Sequence, residues 1–286
     1  MTAILLALGA AITYGAADFL GGLATRRLNA LSVVLISQVV GLAIVGAVLP
    51  FTEADDPSQG LVWGAGAGVA GAIGVILLYR GLARGRMSII APITAVEAAA
   101  VPVIFALITR ERPGTAALVG IGLALVAVTL ISSSASEPGQ DEETVAGDRA
   151  AASGLMEAFG AGVSFGVFFI LLDNTGDSSG VWPLVGTKVT SVAIVALLLV
   201  VKRMPARPDR SLLRVIAWAG VLDMTANLLI LLAVREGRLS IVAVLTAMYP
   251  ASTVLLARIH LKERLARAQL AGLGLAMVSV VLIAGA

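Results

Sequence analysis

The chain has 286 residues, of which 58% are hydrophobic and 13% are charged, and its mean hydropathy is +0.98. A water-soluble domain needs more polar side chains than this to cover its apolar surface. The composition therefore indicates an integral membrane protein that contacts membrane lipids. The net charge of +2 offers no extended basic surface, and we expect no nucleic-acid partner. The sequence has no cysteine and a single histidine, His260, which excludes disulfides and a Cys/His metal cluster. We expect no cofactor and no metal.

Ten apolar stretches of membrane-spanning length follow one another along the chain. About 20 residues of helix cross the hydrocarbon core, and backbone in lipid must be helical because its polar groups find no other partner there. The sequence therefore predicts an all-α integral membrane protein with ten transmembrane helices. The predicted spans cover residues 2–22, 30–50, 60–80, 87–108, 114–133, 153–172, 181–201, 211–233, 239–260 and 266–285.

The first apolar stretch resembles the start of a secretory signal peptide only in its hydrophobicity. No basic residue precedes it, and Arg26 and Arg27 follow it instead. A cleavable signal carries its positive charges in front of the apolar segment. We therefore expect an uncleaved first span.

The second half of the chain repeats the first. Residues 85–131 recur as residues 237–283, with 20 identities in 47 positions and no gap. A shorter match joins residues 9–15 to residues 160–166. The sequence therefore predicts a duplicated membrane unit.

This duplication predicts an inverted arrangement. We expect five-helix repeats at residues 1–133 and 153–286, joined by a polar, acidic and flexible linker at residues 134–152. Because five is odd, the second repeat enters the membrane upside down relative to the first. Inverted repeats are the architecture of secondary carriers, whose substrate site lies at the midplane between the repeats.

Basic residues are distributed unevenly between the two sides of the predicted membrane protein. Of the 20 lysines and arginines, 15 lie at turns after odd-numbered spans and four at turns after even-numbered spans. Cytoplasmic loops carry the excess of basic residues. The charge distribution therefore predicts that both termini lie outside the cytoplasm.

Three segments carry a family resemblance. They are residues 79–92, which join the third and fourth spans, the pair Tyr249-Pro250 ahead of Glu263, and Ile12-Thr13-Tyr14-Gly15 in the first span. On these segments the chain resembles the drug/metabolite transporter superfamily, specifically its EamA-type ten-helix members. The resemblance covers both halves of the chain.

The sequence also departs from the family pattern. Ala98 stands where the family has a proline in the fourth span, and Gln38 and Lys188 stand where it has an arginine in the second helix of each repeat. Family members are described with cytoplasmic termini, which opposes the orientation predicted from charge. We keep the charge-based orientation because it depends on this sequence.

The inverted repeat and the resemblance together predict a transporter and no enzymatic activity. We expect a monomeric secondary active transporter of amino acids or related small metabolites in the bacterial cytoplasmic (inner) membrane. The small-molecule substrate is expected to leave the cell in exchange for protons through a site between the repeats. The alternatives are an exporter of multiple drugs or lipid-linked intermediates, a membrane-embedded enzyme that uses Asp18 and Asp223, and a channel.

Four ionisable residues lie away from the ends of the predicted spans: Asp18, Glu97, Lys188 and Asp223. Such residues are costly in lipid and usually mark a pathway or an ion pair. Glu97 occupies the repeat position of Tyr249 and is a candidate acid for proton coupling. Its alternative role is a static pair with Lys188. Lys188 is in turn a candidate to bind a substrate carboxylate, or to neutralise Glu97 or Asp223.

Further candidates have polar side chains within predicted spans. Asp223 and Asn227 share one helix face, where they could bind a substrate amine or join helices through hydrogen bonds. Asp18 could contact substrate, pair with Arg26 or lie in a solvated mouth. The full set of candidate substrate-binding or coupling residues is Glu97, Lys188, Asp223, Asn227, Tyr249, Tyr14, Gln38 and Asp18.

One motif is misleading. Residues 66–71 match the GxGxxG pattern of dinucleotide-binding sites, but they lie inside an apolar span that no strand precedes. Gly64 and Gly68, spaced by four residues, instead predict a close contact between helices.

Overall fold

The structure is a computed structural model that describes residues 1–84, 87–109, 114–133, 144–204, 208–261 and 267–284. Those residues form α-helices joined by short connections, and no strand occurs among them. The helices are α1 (Thr2–Thr25), α2 (Ala30–Val48), α3 (Pro57–Arg84), α4 (Met87–Ile108), α5 (Thr115–Ser133), α6 (Thr144–Asp173), α7 (Trp182–Lys202), α8 (Arg210–Glu236), α9 (Leu239–Thr246), α10 (Tyr249–Leu261) and α11 (Arg267–Ala284).

Six helices are long and apolar enough to cross a bilayer: α1, α2, α3, α7, α8 and the Met156–Asp173 part of α6. Four shorter apolar segments follow the same order as the remaining predicted spans, and they lie in α4, α5, α9–α10 and α11. The prediction of an all-α, multi-pass membrane protein is confirmed. The charged turns at residues 110–113 and 262–266 and the linker residues 134–143 lie outside the described residues.

The helix ends differ from the predicted spans at two places. The apolar part of the sixth span, Met156–Asp173, agrees with the predicted residues 153–172, but α6 begins at Thr144, so the last part of the predicted linker is helical. The ninth span was predicted over residues 239–260, with Tyr249-Pro250 resembling the kinked helix of the family, and it consists of α9 and α10 with a break at Ala247 and Met248.

The break in the ninth span has a local cause. Pro250 has no N–H group and cannot donate to the carbonyl of Thr246, as the residue four positions on does in a continuous helix. The equivalent residue of the first repeat is Ala98, and α4 continues through it without interruption. One substitution between the repeats accounts for the difference.

Helices of the N-terminal half, α1–α5, pack mainly against helices of the C-terminal half, α6–α11. The most extensive pairs are α1 with α8, α3 with α6 and α7, α4 with α6, and α5 with α11. Glycines permit the closest of these contacts. Thr187 on α7 donates to the carbonyl of Gly64 at 3.1 Å, and a Cβ at Gly68 would lie 2.6 Å from the Thr187 carbonyl. The predicted close contact at Gly64 and Gly68 is confirmed.

Loops from the two halves meet at each end of the bundle. At one end the N–H of Asp55, before α3, donates to the carbonyl of Ser178, between α6 and α7, at 2.9 Å. Arg235 of α8 donates to the carbonyl of Gly180 in the same loop at 2.7 Å. At the end where α1 stops, Arg27 lies close enough to Asp209, the residue before α8, for their charges to interact.

Candidate functional site

A cavity of about 770 Å³, including its open mouth, lies between the two halves. Side chains from α1 to α4 form one side and side chains from α6 to α10 form the other. The cavity therefore depends on both repeats, and neither half could form it alone.

Lys188 holds three helices together at this cavity. Its Nζ donates to Asp223 Oδ2 at 2.6 Å and to Gln38 Oε1 at 2.9 Å, which links α7 to α8 and α2. The Lys188 side chain is 1% exposed and that of Asp223 is 16% exposed. A Cβ at Gly41 would lie 3.0 Å from Lys188 Cε, so this glycine leaves room for the lysine stem. Of the partners considered for Lys188, the structure selects Asp223.

Asp18 adds a second carboxyl group to the cavity. Within the described part of the chain, its side chain forms no hydrogen bond or ion pair. It lies close enough to Asp223 for their charges to interact. Because Lys188 already neutralises Asp223, the ionised cavity carries one surplus negative charge, from Asp18. The predicted pairing with Arg26 is not seen.

Aromatic side chains are concentrated at the cavity, although they make up only 5% of the chain. All three tyrosines of the sequence, Tyr14, Tyr79 and Tyr249, line it. Phe165, Phe168 and Phe169 line it from α6, and the rings of Phe168 and Phe169 pack edge to face with centroids 5.6 Å apart. Aromatic faces bind apolar groups and also attract cations.

Asn227 lines the cavity one helical turn beyond Asp223. Its side-chain amide donates to the backbone carbonyl of Asp223 at 2.6 Å, within α8. This bond fixes the side chain against its own helix. The amide oxygen and the second N–H of the Asn227 side chain remain for other hydrogen bonds.

Glu97 does not line the cavity. It lies on α4 where that helix meets α6, and a Cβ at Gly162 would run into its Cβ. Among the described residues it forms no ion pair, and Lys188 bonds to other partners. The structure thus brings together seven of the eight predicted residues and leaves Glu97 outside. Whether any of the eight binds substrate or couples transport stays a prediction.

Several lining residues were not predicted from the sequence. Tyr79 and the three phenylalanines are examples. The chain has few aromatic residues, so their clustering at one site could have been predicted. Thr246, at the end of α9, is 1% exposed, and its Oγ1 has no hydrogen-bond partner among the described residues. Thr246 did have a signal in the sequence, because Thr246, Tyr249 and Thr253 are spaced at i, i+3 and i+7 along the ninth predicted span, a pattern that could line a cavity or join helices through hydrogen bonds.

Comparison with known proteins agrees with this architecture. The sequence matches the EamA-like transporter family over residues 1–133 and 152–285. A solved structure described only as "Crystal structure of protein" has a TM-score of 0.76 and 16% identity, and the match covers 98% of this chain and 95% of that chain. At that identity the likeness concerns the fold alone. No curated protein matches the sequence. Because the two matched segments together span most of the chain, this protein belongs to the EamA-like transporter family, within the drug/metabolite transporter superfamily.

Proposed function

We propose that this protein is a secondary active transporter that exports amino acids or related small metabolites in exchange for protons. It crosses the bacterial cytoplasmic membrane ten times, as two inverted five-helix repeats. The observation that carries the proposal is a cavity between the halves that contains an ion pair and one further carboxyl group.

The arrangement of the loops supports the inverted repeat. The loop before α3 contacts the loop between α6 and α7 at one end of the bundle. The loop before α8, which is the repeat equivalent of the loop before α3, lies near Arg27 at the end where α1 stops. Equivalent loops at opposite ends are what a two-fold axis in the membrane plane requires.

The charge in the cavity supports transport of a polar metabolite. An apolar cavity would suffice for a lipid tail, whereas a buried ion pair and a surplus carboxylate in a membrane are costly and are retained at substrate and ion pathways. The aromatic lining gives an apolar surface for the rest of the substrate. An amino acid combines both kinds of group.

Asp18 supports exchange with protons. A single carboxylate can be neutralised by a proton or by a cationic group of the substrate, and the two compete for the same oxygen atoms. Binding of one therefore promotes release of the other. Asp223 is less suited to this role because Lys188 holds it at 2.6 Å.

The test is counterflow in liposomes that contain the purified protein. Liposomes loaded with one unlabelled amino acid should accumulate the same labelled amino acid without ATP, and an imposed pH gradient should increase the accumulation until a protonophore dissipates it. Protein-free liposomes are the control. A requirement for ATP, or flux that ignores the pH gradient, would contradict the proposal.

Export is tested separately in cells. Cells that express the protein should tolerate a toxic analogue of the transported amino acid and should contain less of it than cells with the empty vector. Increased accumulation of the analogue would show uptake instead.

Export of aromatic or amphipathic drugs is the second candidate. Six aromatic side chains and an unpaired carboxyl group also suit an organic cation. Counterflow of an organic cation that no amino acid inhibits would favour this alternative.

A further inference from the structure

Thr246 combines a place in the cavity lining with a buried hydroxyl group. It is the last residue of α9, it lines the cavity, and it is 1% exposed. In the part of the chain that the structure describes, its Oγ1 has no hydrogen-bond partner. Buried hydroxyl groups are nearly always hydrogen-bonded, so one on a residue that lines a cavity points to a ligand that completes the bonding.

The backbone carbonyl of Thr246 also lacks its usual helical donor. That donor would be the N–H of residue 250, which is a proline. The N–H of Met248 donates to Leu245 and that of Ala251 donates to Met248. At the break between α9 and α10, the Thr246 carbonyl therefore lacks its helical donor beside a hydroxyl group without a described partner, and a carbonyl oxygen can only accept.

The carboxyl group of Asp18 lies close to this break, near enough to Tyr249 for the two side chains to interact electrostatically. Thr253 of α10 donates to the carbonyl of Gly15 on α1 at 3.1 Å, and a Cβ at Gly15 would run into the carbonyl of Tyr249. Asp18 lies one turn beyond Gly15 on the same helix. Helix α1 thereby brings a carboxyl group without a described partner next to the start of α10.

These groups favour a cationic donor as ligand. A carboxylate bound at the break would meet the Thr246 carbonyl and the Asp18 carboxylate. The one lysine that lines the cavity in the described structure is already held by Asp223 and Gln38. An ammonium group, by contrast, carries several N–H donors and the complementary charge.

We propose that the break between α9 and α10 binds an ammonium group of the transported substrate. Thr246 accepts hydrogen bonds from this group, and Asp18 supplies the opposite charge. This inference rests on the proposed function, because a transported substrate is what would fill the cavity. It adds that the ammonium end of the substrate is recognised and that Thr246 recognises it.

The first test compares three compounds that share a phenyl ring and differ in charge. They are 2-phenylethylamine, L-phenylalanine and 3-phenylpropionate, and the ring is chosen because the cavity is lined by aromatic groups. Binding to the purified protein in detergent is measured by titration calorimetry and by the shift in melting temperature. We expect the amine and the amino acid to bind, and the amine to bind at least about tenfold more tightly than the carboxylate.

The second test removes the hydroxyl of Thr246. In Thr246→Val, the Kd of 2-phenylethylamine should rise about tenfold, while the protein should melt no lower than the wild type because the lost hydroxyl had no partner. Thr246→Ser keeps a hydroxyl and should restore binding. A purely structural role would instead lower the melting temperature and leave the Kd unchanged.

The repeat supplies a matched control. Thr94 is the equivalent of Thr246, it is fully buried, and its hydroxyl is bonded to the carbonyls of Ile90 at 3.0 Å and Ala158 at 3.2 Å. It does not line the cavity. Thr94→Val should therefore lower the melting temperature and leave the Kd of 2-phenylethylamine unchanged.

Four results would overturn the proposal: tightest binding by 3-phenylpropionate, binding by none of the three compounds, an unchanged Kd in Thr246→Val, or selective stabilisation by NaCl over KCl that the amine abolishes. The last would identify a sodium ion as the occupant. A failure of the proposed function can be distinguished from a failure of this inference. If the three compounds bind with the expected pattern but counterflow is absent, the ammonium site is retained and transport is rejected.

Discussion

The fourth span of each repeat shows how one sequence segment has acquired two roles. In the first repeat, α4 is continuous, and Thr94 is a buried structural residue that bonds to α6. In the second repeat, the helix breaks between α9 and α10, and Thr246 faces the cavity without a described partner. The fold is repeated, but the chemistry of the site is not.

The second helix of each repeat shows the same asymmetry. Gln38 and Lys188 occupy matching positions and meet at the cavity, where the amide oxygen of one accepts from the ammonium group of the other. A symmetric pair of lysines would repel each other, and a symmetric pair of glutamines would leave Asp223 without a counter-ion. Divergence between the repeats thus supplies one counter-ion, for Asp223, and leaves the Asp18 carboxyl group without one among the described residues that line the cavity.

The largest expected effect is on proton-driven flux. It distinguishes Asp18, which lines the cavity, from Glu97, which does not. Asp18→Asn should abolish flux driven by a pH gradient, because the surplus carboxyl group is lost, while counterflow at equal pH is reduced less. Glu97→Gln should change the proton-driven flux by less than about twofold, since Glu97 does not line the cavity. If Glu97→Gln lost proton-driven flux and Asp18→Asn kept it, Glu97 rather than Asp18 would be the coupling acid.

The next largest effect is on the free energy of unfolding, and it compares Lys188 with Gln38, the matching residues in the second helix of each repeat. Lys188→Met should destabilise the protein by about 3–5 kcal/mol, because Asp223 would remain buried without a counter-ion. Gln38→Met should cost about 1.5–3 kcal/mol, the range for a hydrogen bond to a charged group. Chemical or thermal unfolding in detergent measures both.

A double substitution checks this explanation. Lys188→Met combined with Asp223→Leu removes both charges and should recover most of the stability lost in Lys188→Met. A double variant no more stable than Lys188→Met would mean that the lysine acts through packing rather than through its charge.

Ala98 and Pro250 occupy the same position in the fourth span of each repeat. Exchanging each for the other residue type should have opposite effects on stability. Ala98→Pro removes a helical donor from the continuous α4 and should destabilise the protein by about 3 kcal/mol. Pro250→Ala restores a donor for the Thr246 carbonyl and should raise the melting temperature while weakening substrate binding. Hydrogen exchange at residues 246–251 would report the repaired helix, and unchanged exchange there would show that the proline does not cause the break.

The smallest effect concerns the acids that precede the third helix of each repeat. The pKa of Asp56 is lowered chiefly by the hydroxyl of Ser58, and that of Asp209 chiefly by the N–H of Leu212. A lowered pKa contributes stability above the unfolded value of about 3.9, and this stability is lost as the pH falls through the folded value. Asp56→Ala and Asp209→Ala should each lower the melting temperature slightly at neutral pH and lower it less at pH 3, because the stabilisation is then being lost.

A neutral cap provides the control for this pH dependence. Asn29 Oδ1 accepts from the N–H of Ser32 at 2.9 Å at the start of α2. Asn29→Ala should lower the melting temperature by a similar amount at both pH values. Equal losses at both pH values for the aspartate variants would show that their ionisation does not matter.

The sequence by itself determined the class of protein, the approximate positions of most helices and the family. These follow from the length of apolar stretches and from the internal repeat, which are properties of the chain and do not depend on packing. The close contact at Gly64 and Gly68 was also predictable, because small residues on one helix face permit close approach wherever a partner helix exists.

Only the tertiary structure decided which polar groups meet. Two acids, Glu97 and Asp223, were possible partners for Lys188, and the packing of α7 against α8 and α2 selected Asp223. The repeat placed Glu97 and Tyr249 at equivalent positions, yet only Tyr249 lines the cavity. Likewise, no sequence pattern could show that the hydroxyl of Thr94 has partners and that of Thr246 has none among the described residues. Whether a buried polar group is satisfied depends on atoms from other helices, and these come together only when the chain has folded.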